Sequence, residues 1–273
     1  MTIKKPYHRN YRAIKPNGNS GYSDWAYIVD PEYAQNAAHY VRALILIQRD
    51  LESIFEYLEP SEESQTAYSY RVHALLMRTC IEVEANFRAI LKENICSTPP
   101  GKLNMQHYKK VEVTHHLSSY EAMLPIWNVS SEQFAPKYRT FRPFESWKSV
   151  RGAQGTRNSA DESLDWYQAY NASKHNRHDN FKKANLENLV LAVAGLLILV
   201  SSQFRDENFS AGSTLLAIGQ GHYPMQTAIG NLFRIKYPSL DDWTEDELYE
   251  FNWSDLEKQK NKFEKINYDD IQV

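Results

Sequence analysis

The chain has 273 residues, 42% hydrophobic and 24% charged, with a formal charge of −3. That suits a globular protein of one large domain or two small ones, long enough to bury a sizeable core. It carries neither a basic nor an acidic tail, so any nucleic-acid contact has to come from a local patch.

Residues 1–30 read as an irregular arm. Pro6, Pro16, Asn17-Gly18-Asn19 and Ser20-Gly21 are turn signals. The first residues are basic but no apolar run follows them, so no signal peptide is expected. Tyr22, Trp25 and Tyr27 are the expected anchors on the body.

A first helix is predicted over 31–58. Asp30 is placed to cap it, Pro31 suits the first position, and Pro60 ends it. Val41, Leu44, Ile45, Leu51, Ile54, Phe55 and Leu58 keep helical spacing. A second helix is predicted over 64–94, with an apolar arc of Val72, Leu76, Cys80, Val83, Phe87, Ile90 and Leu91. Arg78, Glu82 and Asn86 run beside that arc at i, i+4 and i+8. Ala74, Ala85 and Ala89 share their side, so another helix can approach closely. Glu84, Arg88 and Lys92 read as a solvated face. A plain surface pair between Arg78 and Glu82 is the alternative for the first set.

Residues 95–160 form a long irregular insertion. Pro99-Pro100-Gly101 is a break, 105–114 suits a short helix or strand, and His115-His116 follows. Within it Lys137, Arg139, Arg142, Lys148, Arg151 and Arg157 interleave with Tyr138, Phe141, Phe144 and Trp147. Such a mixture can track phosphates and stack bases; a surface loop pinned by its aromatics has the same composition. Residues 151–161 have the composition of a mobile loop.

A third helix, over 165–178, packs three aromatics, an Asn, a Lys, an Arg and two His into one stretch. Tyr170, Lys174 and Arg177 are predicted to share one face, and Asn171, His175 and His178 the adjoining one. Amide, imidazole and cation are the groups that bind anions or move protons. An aromatic helix with hydrogen-bonded polar ends is the other reading. A fourth helix is predicted over 180–204. Its run at 189–200 is apolar all round, which marks a central bundle element. At 12 residues that run falls short of the roughly 20 a membrane span needs. Beyond it come a small-residue connection at 210–221 and a short strand at 231–237. An aromatic tail (Trp243, Tyr249, Phe251, Trp253) follows, and then a charged end expected to fray. Residues 31–209 thus form a bundle with its insertion, and 210–273 an extension packed on it.

The two cysteines, Cys80 and Cys96, fit a reducing cytoplasm rather than a disulfide framework. There is no Gly-rich phosphate loop, no Gly-x-Ser-x-Gly, no Cys-x-x-Cys and no His-Glu-x-x-His. His115, His116, His175 and His178 lack a carboxylate partner at ligand spacing, so no metal site is expected.

Tyr170-Asn171-Ala172-Ser173-Lys174-His175 resembles the Arg-Asn-x-x-x-His motif of the HEPN superfamily, with Tyr170 at the Arg position. The resemblance covers roughly residues 31–94 and 161–207. It implies an all-α, HEPN-like helical bundle of a bacterial stress or phage-defence system. It implies RNA or nucleotide as partner, no cofactor, and a homodimer whose two copies of the motif meet. In a metal-independent endoribonuclease of this kind His175 is general acid/base beside Asn171. Lys174, Arg177 and Arg78 supply phosphate charge, and Glu82, Asn86, Tyr170 and His178 bind or orient. The alternative is a non-catalytic interaction or binding module for a protein or other partner, in which the same residues form a structural polar network. A small-molecule pocket between the second and third helices is a further reading. In the nuclease arrangement Glu82 or Asn86 should lie within hydrogen-bond reach of Asn171, Lys174 or His175.

Overall fold

The computed structural model describes residues 2–16, 23–127, 139–148, 163–209 and 225–273. Seven α-helices run through them: α1 (Ala37–Phe55), α2 (Tyr70–Glu93), α3 (Met105–His115), α4 (Asp165–His175), α5 (Arg177–Asn180), α6 (Leu186–Phe204) and α7 (Trp253–Leu256). Four short strands join them: β1 (Glu121–Met123), β2 (Thr140–Phe141), β3 (Gln226–Thr227) and β4 (Arg234–Lys236). The chain is therefore mostly helical rather than all-α. Its strands form one antiparallel sheet in the order β2-β1-β4-β3, with Ala122 opposite both Phe141 and Ile235. β4 falls inside the stretch that alternates at 231–237. The other strands are two or three residues long, too short to leave a period-2 pattern.

α6 is the centre. Every residue of 189–200 except Leu191 is buried, and α1, α2 and α4 all pack on this helix. The helix is long and apolar enough to cross a membrane by length and composition, and it is wrapped by the fold. Gly195 lets α4 come close, because a Cβ there would stand 3.2 Å from the Trp166 ring.

Helix ends follow local caps rather than the apolar pattern. α1 begins at Ala37, not at 31, because Asp30 is used elsewhere. Its carboxylate accepts from the Glu32 amide and pairs with Lys262. Asn36, in the left-handed region at φ 54°, then turns the chain into the helix. α2 begins only after Ser69, whose hydroxyl accepts from the Val72 amide. α6 begins after Asn185, which accepts from the Asn188 amide.

The two ends of the chain are built into the body. Ile3 and Ile14 bridge to Tyr249, and Tyr7 bridges to Glu264. Arg9 is fully buried. Its Nε pairs with Glu93 at 2.7 Å, one terminal nitrogen donates to Gln203 at 2.9 Å, and its guanidinium lies over the Tyr40 ring. Arg12 stacks on Tyr7, Trp243 and Tyr249. His116 stacks on Trp243 and pairs with Glu247. Burial alone would raise the Glu247 carboxyl, but hydrogen bonds from His116 and Thr244 hold it at about 2. The anchors of the arm are thus Arg9, Arg12 and Tyr27, whereas Trp25 is half-exposed and Tyr22 lies outside the described residues. The charged end does not fray as expected. Tyr268 is fully buried against Thr114, and Ile95 bridges to Asn267.

The insertion is likewise pinned. Phe141, Phe144 and Trp147 are buried. Arg139 pairs with Glu187 and stacks on Trp127 and Phe141, while Arg142 pairs with Glu121 and Glu145. These two cations are committed to the fold and do not form a phosphate track. Lys137, Tyr138, Arg151 and Arg157 lie outside the described residues.

Candidate functional site

The helix bearing the HEPN-like motif ends earlier than its composition suggests. α4 stops at His175. Asn176 leaves helical geometry at φ −140°, ψ 76°, and its side chain caps α5 by accepting from the Asp179 amide. Tyr170 and Lys174 share a face, but Arg177 and His178 sit on the next element, turned from it. The single face expected for Tyr170, Lys174 and Arg177 is therefore broken, as is that for Asn171, His175 and His178.

α4 is fixed by its aromatic side. The Trp166 indole donates to the Pro143 carbonyl at 2.9 Å. Tyr167 and Tyr170 both donate to one oxygen of Glu84, at 3.0 and 3.2 Å. Arg88 pairs with the other oxygen at 2.8 Å and also donates to the Tyr108 hydroxyl. Lys174 donates to the Tyr170 hydroxyl at 3.0 Å. Burial pushes both tyrosines above the ordinary phenol range, and Glu84 adds to it. At Tyr170 the Lys174 hydrogen bond opposes this shift. Tyr170 is therefore a buried, neutral donor that ties α4 to α2. It is not a phosphate ligand.

This network corrects the sequence reading of α2. The carboxylate facing α4 is Glu84, expected to be solvated, and not Glu82. Asn86 is buried but faces the other way: it accepts from Gln203 and so serves Arg9. Neither Glu82 nor Asn86 makes the expected bond to Asn171, Lys174 or His175 among the described residues. Arg78 turns toward α1 and pairs with Asp50. The interface between α2 and α4 is occupied by the tyrosines and Glu84. Clefts of about 340 and 290 Å³ open instead between α1 and α2, and Arg71 lines both.

Four motif-region residues remain at the surface. Lys174, His175, Arg177 and His178 are all exposed, and Asn171 is half-buried. Among the described residues no side-chain hydrogen bond holds Asn171 or His175. Arg177 lies over the Tyr70 ring at 5.7 Å. Tyr70 in turn contacts Phe181, as do Tyr68 and His73. Burial lowers the His73 imidazole, and the nearby Arg177 charge lowers it further, while the Ser173 backbone acts the other way. The Tyr70–Phe181–His73 group was not legible, because the three residues lie on two separated elements. Among the described residues no three His, Cys, Asp or Glu side chains cluster as metal ligands.

Compared with known proteins, the chain matches no family model, no curated protein and no solved structure.

Proposed function

We propose that the chain is an RNA-handling protein of HEPN-like type that contacts RNA through the end of α4, α5 and the turn at Phe181–Lys183. One concentration of charge carries this reading. Among the described residues Lys174, Arg177, Lys182 and Lys183 pair with no carboxylate, and the two imidazoles of His175 and His178 stand exposed beside them. Arg78, Arg88, Arg139 and Arg142 each pair with a carboxylate, and other exposed cations among the described residues, such as Arg42, Arg49 and Arg71, do not, but the stretch 174–183 gathers four cations and two imidazoles within ten residues. Uncompensated cations concentrated in one stretch of chain attract a polyanion. The polar network of Tyr167, Tyr170, Glu84 and Lys174 holds α4 in place against α2. This favours a binding module.

A second reading, a metal-independent endoribonuclease, is favoured by the exposure of His175. A general acid/base must reach substrate, and a water-exposed imidazole does. Tyr170 supplies no charge, so Lys174 or Arg177 would hold the phosphate. The family's composite site would require a two-fold dimer with α4 near its axis.

Purified protein is incubated with a mixed RNA pool in EDTA, wild type beside His175→Ala, with cleavage and gel mobility read together. The nuclease reading expects a loss of about 10²-fold in the variant, the order contributed by an acid/base group. An exposed position should leave the melting temperature close to wild type. Equal cleavage by both proteins removes His175 from the chemistry. Retarded but intact RNA identifies a binding module. The absence of both cleavage and retardation at low salt contradicts RNA handling altogether.

A further inference from the structure

We propose that Tyr70 is a base-stacking platform, and that with Arg177, Phe181 and the flanking lysines it makes the chain a reader of single-stranded RNA. This rests on the RNA-handling reading and adds to it the strandedness of the substrate and the residue that senses it.

Tyr70 opens α2 and is 70% exposed. An exposed aromatic at a helix start adds little to a core, yet this one is held in a defined pose. Its ring meets Phe181 at 4.8 Å between centroids, and the Arg177 guanidinium stands 5.7 Å from its centroid. Phe181 is braced in turn by Tyr68, edge-on at 5.6 Å, and by His73 at 5.5 Å. A ring fixed by its neighbours loses little entropy when a base stacks on it. Every base has a π-face, so stacking tolerates sequence. In a duplex those faces are covered by neighbouring bases, so only an unpaired base can use the platform.

The charges set the path of the strand. Arg177 stands over the platform, Lys182 and Lys183 directly follow Phe181 in the chain, and the one acid within 174–183, Asp179, accepts from the Asn176 side chain. The α1–α2 turn, by contrast, exposes Glu56, Glu59, Glu62 and Glu63. Those carboxylates repel phosphate from the cleft lined by Tyr57 and Tyr68. Lys182 and Lys183, next in the chain to Phe181, are the phosphate contacts expected beside the platform.

The test is fluorescence anisotropy with three labelled probes: a twelve-nucleotide oligouridine, an abasic oligonucleotide of the same length, and a duplex RNA. Wild type is expected to bind oligouridine about tenfold or more tighter than the abasic probe, from the stacking of one or two bases. Tyr70→Ala should lose about 5- to 30-fold on oligouridine and nothing on the abasic probe. Tyr70→Phe, which keeps the ring, should bind like wild type. The double variant Lys182→Ala/Lys183→Ala should weaken both probes, with a salt dependence shallower by about 0.7 per lost contact. Equal affinity of wild type for oligouridine and abasic probe, preference for duplex, or an unchanged Tyr70→Ala would overturn the platform while leaving RNA handling intact. Failure of wild type to bind any of the three at low salt would overturn both.

Discussion

Arg9→Ala should lower the melting temperature by about 10 °C, the consequence of roughly 3–5 kcal/mol lost when one partner of a buried ion pair is removed. Arg9 is fully buried, and Glu93, its partner, has a side chain only 11% exposed. Truncation leaves Glu93 without its cation, strips the Gln203 side-chain oxygen and the Gln35 carbonyl of a donor, and uncovers the Tyr40 ring. Gln203 also donates to Asn86, so the loss reaches α2. Lys4→Ala is the control. Lys4 pairs with Glu250 at the surface, its side chain 60% exposed, and a pair of that kind contributes little. A thermal scan of the two variants checks the expectation. Equal shifts would mean that the N-terminal arm is only loosely held.

Acid should weaken the fold before most carboxylates titrate, because of His115. Its ring is fully buried. One ring nitrogen, Nε2, lies 2.8 Å from the Arg9 carbonyl and must carry the proton, while Nδ1 accepts from the Thr114 hydroxyl. Burial pulls its pKa down to about 3, against a partly opposing hydrogen bond to Arg9. The unfolded chain titrates near 6.5 and so binds more protons than the native one between 6.5 and about 3. The stability His115 contributes is complete above 6.5 and falls by about 1.4 kcal/mol per pH unit below it. His8, also lowered chiefly by burial, acts in the same direction. Urea midpoints at pH 7.5 and 5.5 measure the effect. His115→Asn should flatten the dependence. A wild-type midpoint that does not change over this range would contradict the buried neutral imidazole.

What the sequence makes legible is what depends on near neighbours. The run at 189–200 announces a central helix because it is apolar on every side, and α6 is that helix. The helix starts are less legible. Asp30 followed by Pro31 is good capping chemistry, but Lys262, over two hundred residues away, claims the carboxylate. The same limit governs the candidate site. A helical wheel places Cys80, Glu84 and Phe87 on one stripe of α2 and Val83, Asn86 and Ile90 on another. It does not say which stripe meets α4 and which meets α6. The available clue is the pair Tyr167 and Tyr170, two buried hydroxyls one turn apart that need an acceptor. Glu84 is that acceptor. The break after His175 was visible in principle as an Asn cap, yet Asn176 sits in a polar run where nothing marks it from Asn171. Arg9 and Arg12 were illegible as core residues, since what buries them lies far along the chain: Tyr40, Glu93 and Gln203 around Arg9, and Trp243 and Tyr249 around Arg12.

The most direct test of RNA contact at the α4–α5 face is photocrosslinking of full-length protein to a 4-thiouridine-containing single-stranded RNA, with the modified residues mapped by mass spectrometry. The account predicts crosslinks on Tyr70, His175, His178 and Phe181, lost when Lys182 and Lys183 are changed together to Ala. Crosslinks confined to other surfaces, or none at low salt, would contradict it.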